Sequence, residues 1–224
     1  MGESVAVIVF PGTNCEHDVV RAFSLAGIKS KLVWHKDTSL PKVAGIVIPG
    51  GFAHGDYLRP GAIARFSPIM RDVALEAKRG TPVLGICNGF QILTEAGLLP
   101  GALQKNSGLR FICKDAELEV VSNRSVASSR LLCGDKITLP INHFEGRYTC
   151  SVETLASLRD NDQIVLRYVD NPNGSIDSIA AISNVNGNVV GMMPHPERAT
   201  EALCGKKDGI ALFESLVSLP ISSL

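Results

Sequence analysis

Four short, almost unbroken apolar runs punctuate the first part of the chain: VAVIVF (5–10), KLVW (31–34), GIVI (45–48) and VLGI (83–86). Runs of this length with little polar alternation predict strands buried on both faces. The helical patterns between them predict the crossovers that cover those faces. A parallel α/β sheet is the architecture that satisfies both. TNCE (13–16) matches a capping box, with Thr13 as N-cap and Glu16 three residues on, opening a helix to about Ala26 that Gly27 stops. Ser67-Pro68 predicts an N-cap with proline at the first helical position of a helix to about Arg79, and Gly89–Ala96 predicts another, ended by Gly97.

The pattern changes after Asn106. Shorter β-branched stretches follow, at Leu118–Val121, Ile137–Leu139, Ile164–Val169, Ile179–Ile182 and Val189–Met193, divided by DNPNGS and NVNGN turns. Asn186-Gly187 between apolar runs is a hairpin signal. The expected architecture is therefore a mixed, mainly parallel sheet with helices on both faces. Its C-terminal half is richer in antiparallel strands, and a helix over Gly209–Ser218 closes a single domain spanning 1–224.

Composition removes several functional classes. Apolar residues are 45% and charged residues 20%, a globular profile, and Lys+Arg equals Asp+Glu at 22 each. Neither nucleic acid nor an anionic membrane is attracted by such a balance, so neither is an expected partner. No run approaches the roughly 18 apolar residues of a membrane span, and VAVIVF lacks the basic lead-in of a signal peptide. A soluble, cytoplasmic protein is expected. The six cysteines (Cys15, Cys87, Cys113, Cys133, Cys150, Cys204) form no C-x-x-C pair, which predicts no metal site and mostly buried, unpaired thiols.

One cysteine stands apart. In GICNGFQ (85–91), Cys87 lies where VLGI ends and a helical pattern begins. G-x-C-x-G is the cysteine form of the nucleophile elbow. The corner residue is strained and projects above the sheet, and Gly85 and Gly89 keep side chains out of its way. A helix N-terminus also favours thiolate over thiol. A thiolate nucleophile requires a base, and the base an orienter. His195 in MMPHPER (192–198) follows the run Val189–Met193, and the flanking Pro194 and Pro196 favour extended geometry. In an extended stretch His195 and Glu197 share a face, so the carboxylate can fix the ring tautomer. Both Cys87 and His195 fall at strand C-terminal ends, where parallel α/β sheets collect their sites. The backbone N–H of Asn88 and of Gly51, in PGGF (49–52), are the expected oxyanion donors.

Elbow, glycine loop and P-H-P-E in this order resemble the class I glutamine amidotransferases of the triad type. The stretches PGGFAHGDYLRPGAIA (49–64), GICNGFQ and MMPHPER are similar to those of the glutaminase-subunit family of phosphoribosylformylglycinamidine synthase, as are VIVFPGTNCEHD (7–18) and NSGLRF (106–111). The resemblance runs from Val5 to Leu216. It implies a three-layer, flavodoxin-like α/β fold, with Cys87 as nucleophile, His195 as acid/base and Glu197 as orienter. It implies hydrolysis of L-glutamine through a cysteine thioester. The ammonia goes to a large synthetase subunit that makes formylglycinamidine ribonucleotide from formylglycinamide ribonucleotide in purine biosynthesis. Gly50, Gln91, Asn106 and Ser107 are the implied substrate contacts. No cofactor is implied in this subunit, ATP and magnesium belonging to the synthetase, and a small bridging subunit is the third partner. The chain departs from the family pattern at Ala53 and His54, where a small polar residue and an aromatic are usual, and at Phe144, where glycine is common. The competing readings are a cysteine enzyme acting on another substrate and a non-catalytic subunit.

Overall fold

The computed structural model describes residues 4–201 and 207–218. The first part of the chain forms β1 (Ser4–Val9), α1 (Glu16–Leu25), β2 (Ser30–Trp34), β3 (Val43–Ile48), α2 (Pro68–Lys78), β4 (Val83–Ile86) and α3 (Asn88–Glu95). The second part forms β5 (Ala102–Gln104), β6 (Ile112–Val120), β7 (Lys136–His143), β8 (Arg147–Thr149), α4 (Val152–Asp160), β9 (Ile164–Tyr168), β10 (Ile179–Ser183), β11 (Val189–Met192) and α5 (Ile210–Leu216).

Nine strands make one sheet in the order β2-β1-β3-β4-β11-β10-β9-β6-β7, and β5 pairs with β8 in a separate ribbon. Strands β2, β1, β3, β4 and β11 run parallel. Strands β10, β9, β6 and β7 extend the sheet antiparallel. The last strand therefore returns to the parallel block. It lies beside β4 with Gly191 opposite Gly85 and Met192 opposite Ile86, so the ends of β4 and β11 emerge side by side.

Helices cover both faces, and the glycines of the strands show how closely. Gly85 faces Leu93 of α3, whereas Gly45 faces Leu216 of α5. Gly85 pairs with Ile48 on β3, so Gly45, of opposite parity, looks the other way. On the α5 side Phe23 of α1 meets Phe213 edge-on, ring centroids 5.0 Å apart. A side chain at Gly89 would run into the Ile48 carbonyl oxygen. Only a residue without Cβ lets α3 start this close to β3.

Several expectations shift. The capping box at Thr13 does not form. Thr13 Oγ1 instead accepts the Phe10 N–H (3.0 Å), and its backbone bridges to Gly51, so α1 begins two residues later than expected, with Cys15 as N-cap. Ser67 precedes α2 as expected but bonds the His35 ring (3.1 Å) rather than the helix. The hairpin at Asn186-Gly187 is present, joining β10 to β11, with Gly187 at φ +71°. The sequence pattern missed α4, whose Ser151 cap accepts the Thr154 N–H (3.2 Å). Of the cysteines, Cys15 and Cys87 are buried, Cys113 and Cys133 are exposed, and Cys150 is intermediate. Cys113 sits on the outward face of the edge ribbon β6–β7, where burial alternates. Cys204 lies outside the described residues. Among the described residues no helix is long and apolar enough to cross a membrane.

The close approach at Gly89 sets an expectation. Gly89→Ala forces α3 away from β3 and destabilises the fold by about 1–3 kcal/mol. A lower urea midpoint at unchanged slope is the expected observation.

Candidate active site

Cys87 occupies the corner between β4 and α3 at φ 50°, ψ −103°, a conformation that costs a residue with a Cβ and persists only when its surroundings hold it. The neighbouring strand does so, because the Cys87 N–H donates to the Met192 carbonyl (2.7 Å), carrying the β4–β11 pairing one residue past the strand end. The elbow does not leave the thiol open to solvent. Cys87 is 6% exposed, and its sulfur faces the Asn142 carbonyl oxygen at 3.9 Å.

His195 follows β11 and is also buried. Its N–H donates to the Pro140 carbonyl (2.8 Å), tying the residue to β7. The His195–Glu197 pairing arises differently from the extended geometry expected, since Pro196–Arg198 form a tight 3₁₀ turn. The turn brings Glu197 Oε1 to 2.6 Å from His195 Nδ1. Nε2 is buried without a hydrogen-bond partner. Burial opposes a charged ring here, but Glu197 and then the Cys87 and Cys15 sulfurs outweigh it, holding the His195 pKa well above that of a free imidazole. The three groups converge over Gly50. A Cβ there would stand 2.8 Å from His195 Cε1, 3.3 Å from Cys15 Sγ and 3.5 Å from Cys87 Cβ. Glycine is the residue that fits.

Gly51, at φ +144°, bridges to Thr13 through the bonds Phe52 N–H to Gly12 carbonyl (2.9 Å) and Asn14 N–H to Gly50 carbonyl (3.4 Å). Its own N–H is left out of that pairing. The Asn88 N–H, first in α3, has no intrahelical acceptor. Among the described residues both expected oxyanion donors are therefore uncommitted beside the elbow. The Asn88 side chain is a junction. Its Oδ1 accepts the Ala53 N–H (3.0 Å), and its Nδ2 donates to Gln91 Oε1 (2.9 Å) and Asp56 Oδ1 (3.1 Å).

Several of these residues, though not Gly50, Asn88 or Glu197, line one cavity of ≈ 290 Å³, at the small end of ligand pockets and of a size for an amino acid. Cys87, His195, Gly51 and Gln91 all face it, and Asn142–Glu145 form the opposite wall. Asn106 and Ser107 do not line it. Asn106 is fully buried behind that wall, where its Oδ1 takes the His143 ring (3.1 Å) and its Nδ2 donates to the His143 carbonyl (3.0 Å). It shapes the cavity by holding the 143–146 turn. Ser107 is exposed, and its N–H donates to the Asn173 carbonyl (3.0 Å). Phe144 lines the cavity at the departure from the family pattern. His54 stays out of the lining and packs edge-on against His35, centroids 5.1 Å apart. Sequence reasoning missed Asp56, His143, Glu145, Cys15 and Arg198. The charged residues of HGDYLR and MMPHPER offered a signal, but nothing local places Cys15 beside His195. Burial, then the charge of His195, lowers His143 to about 4, so this second cavity histidine is neutral at pH 7 while His195 is driven the opposite way.

A sheet of this order with a thiol elbow on one strand and a carboxylate-held imidazole on the next defines a class I glutamine amidotransferase domain. The family model described as CobB/CobQ-like glutamine amidotransferase domain matches residues 3–208. The chain is 51% identical to a phosphoribosylformylglycinamidine synthase subunit PurQ from Chlorobaculum parvum, covering 95% of this chain and 88% of the relative. It is 53% identical to the PurQ subunit of Cereibacter sphaeroides, over 95% and 96% of the two chains. A chain in the structure of PurLQS from Thermotoga maritima superposes with a TM-score of 0.89 at 44% identity, over 97% and 98% of the two chains. The chain belongs to the family of PurQ subunits.

Asp56 sets up a test. Burial first, opposed by the Asn88 hydrogen bond and assisted by Glu145, raises its carboxyl to about 6. The folded chain therefore holds this proton more tightly than the unfolded chain, so the contribution of Asp56 to stability falls as pH rises through the window up to about 6. Asp56→Asn removes that cost. Thermal melts are expected to show a gain of roughly 2 °C or more at pH 7.5 and little at pH 4.5. An equal gain at both would refute the shift.

Proposed function

We propose that the chain is the glutaminase subunit of phosphoribosylformylglycinamidine synthase, working as one domain over 1–224. It hydrolyses L-glutamine to glutamate and ammonia. A partner synthetase then uses the ammonia to convert formylglycinamide ribonucleotide to formylglycinamidine ribonucleotide in purine biosynthesis. The observation that carries the reading is the Glu197-bound imidazole, 2.6 Å from its orienter, with a free Nε2 beside the Cys87 elbow in a chain 51% identical to a PurQ subunit.

In the proposed mechanism the Cys87 thiol turns from the Asn142 carbonyl toward His195 Nε2, which takes its proton. The sulfur attacks the side-chain amide carbon of glutamine, and the carbonyl electron pair moves onto oxygen, where the Gly51 and Asn88 N–H groups stabilise it. His195 returns the proton to the amide nitrogen, the C–N bond breaks, and ammonia leaves a Cys87 thioester. Water, deprotonated by His195, attacks the thioester. Collapse releases glutamate and restores the thiol. Glu197 keeps Nε2 available by accepting from Nδ1–H and stabilises the imidazolium formed in each half-reaction.

No cofactor is assigned to this chain. ATP and magnesium act in the large synthetase subunit, and a small bridging subunit completes the complex. The likeness to a chain of the PurLQS structure supports this assembly. A cytoplasmic location fits a biosynthetic enzyme of this kind.

Cys87→Ala should abolish synthesis from glutamine in the assembled complex and leave synthesis from added ammonia intact. Equal survival or equal loss of both overturns the role of Cys87. Glu197→Gln should lower kcat with glutamine by about 100-fold or more at unchanged ammonia-dependent rate. Ammonia release by the chain alone should be slow and rise on adding the synthetase.

A further inference from the structure

The cations of the cavity already have partners. Arg59 bonds both oxygens of Glu95 (2.5 and 2.6 Å), and Arg198 donates Nη2 to the Cys15 sulfur (3.3 Å) with Asp18 3.9 Å from its Nε. The carboxylates do not. Asp56 receives one hydrogen bond, from the neutral amide of Asn88 (3.1 Å), and among the described residues no ion pair reaches it. Glu145, a second lining carboxylate, lies near enough to disfavour its charge. A half-buried anion facing another anion is costly unless a cation comes to it. No cluster of three or more metal-ligating side chains among the described residues includes Asp56 or Glu145, so the waiting cation is not well served by a metal.

The position of Asp56 says which cation. Its carboxylate is one hydrogen bond from Asn88, the residue after the nucleophile. A glutamine whose amide carbon lies at the Cys87 sulfur carries its α-carbon three bonds further, roughly 4 Å away. The α-ammonium group then falls one side-chain length from the thiol, inside the cavity that Asp56 and Glu145 help line. We propose that Asp56 receives the α-ammonium group of the substrate, with Glu145 adding to the field, and so selects amides that carry a free α-amino group. Arg59 and Arg198, held by Glu95 and Cys15, leave that negative end uncancelled. The inference rests on the glutaminase reading and adds a specificity residue to it.

The test uses the assembled complex with two amide donors, L-glutamine and 4-carbamoylbutanoate, which is glutamine without its α-amino group. Ammonia release is followed for both. The wild-type protein should prefer glutamine by about 10- to 100-fold in kcat/KM. Asp56→Asn keeps an acceptor for Asn88 while losing the charge. It should raise KM for glutamine by a similar factor with kcat within about 3-fold, and leave 4-carbamoylbutanoate unchanged, so that the preference collapses. Glu145→Gln should move the preference the same way by less. Equal loss on both donors would mean that Asp56 only holds Asn88 in place, and an undiminished preference in the variant would equally overturn the assignment. Thermal melts establish that the variant is folded. If the wild-type complex releases no ammonia from glutamine, the glutaminase reading falls and this inference with it. If it does and the variant keeps its preference, only the role of Asp56 fails.

Discussion

The parallel pairing of β4 with β11 is the constraint on which the site depends. Cys87 and His195 are more than a hundred residues apart in the chain. They meet because Gly85 and Gly191 are register partners, so both strands end at the same level of the sheet. The Cys87 N–H continues that ladder onto the Met192 carbonyl, which helps hold the elbow in its strained conformation. A register slip of one residue would turn every side chain of β11 to the other face. The glycines at this seam also let α3 lie close, since a Cβ at Gly191 would meet the Phe90 ring.

The parallel half was legible because burial on both faces leaves an unmistakable run of apolar residues. VLGI matched β4 end to end, and VAVIVF and GIVI located β1 and β3 within two residues. The second half was legible only in outline. Strand β6 extends from Ile112 to Val120 with four of its nine residues on the core side at most, so its outer part carries charges and no apolar signal. Helix α4 was missed for a related reason, since only Leu158 of its residues is buried. Thr13 misled because a capping sequence was recruited by a tertiary contact, the bridge to Gly51.

In the site, local patterns located what local geometry builds. The elbow depends on Gly85, Cys87 and Gly89, all within five residues, and the His195–Glu197 bond on a turn of four. What a single segment cannot announce is the wall opposite. Asn142 and His143 end β7, the far edge strand of the sheet, and reach Cys87 and His195 only because the β6–β7 ribbon curls back across the rim. Asn106 illustrates the same limit. The motif around it suggested a substrate contact, whereas its amide is spent on His143, Arg110 and Gly146.

The two sides of the cavity thus differ mechanically. The nucleophile and its imidazole sit on central strands whose neighbours clamp them along their length. The facing wall ends an edge strand paired on one side only, with β6, and is tied across the rim by discrete polar tethers, among them His195 N–H to Pro140 at 2.8 Å and the fan of bonds from Asn106. Such an arrangement resembles a vice with one fixed and one sprung jaw. The reacting atoms are held from both sides of their strands, and the lower local stability expected of an edge falls on the sprung jaw.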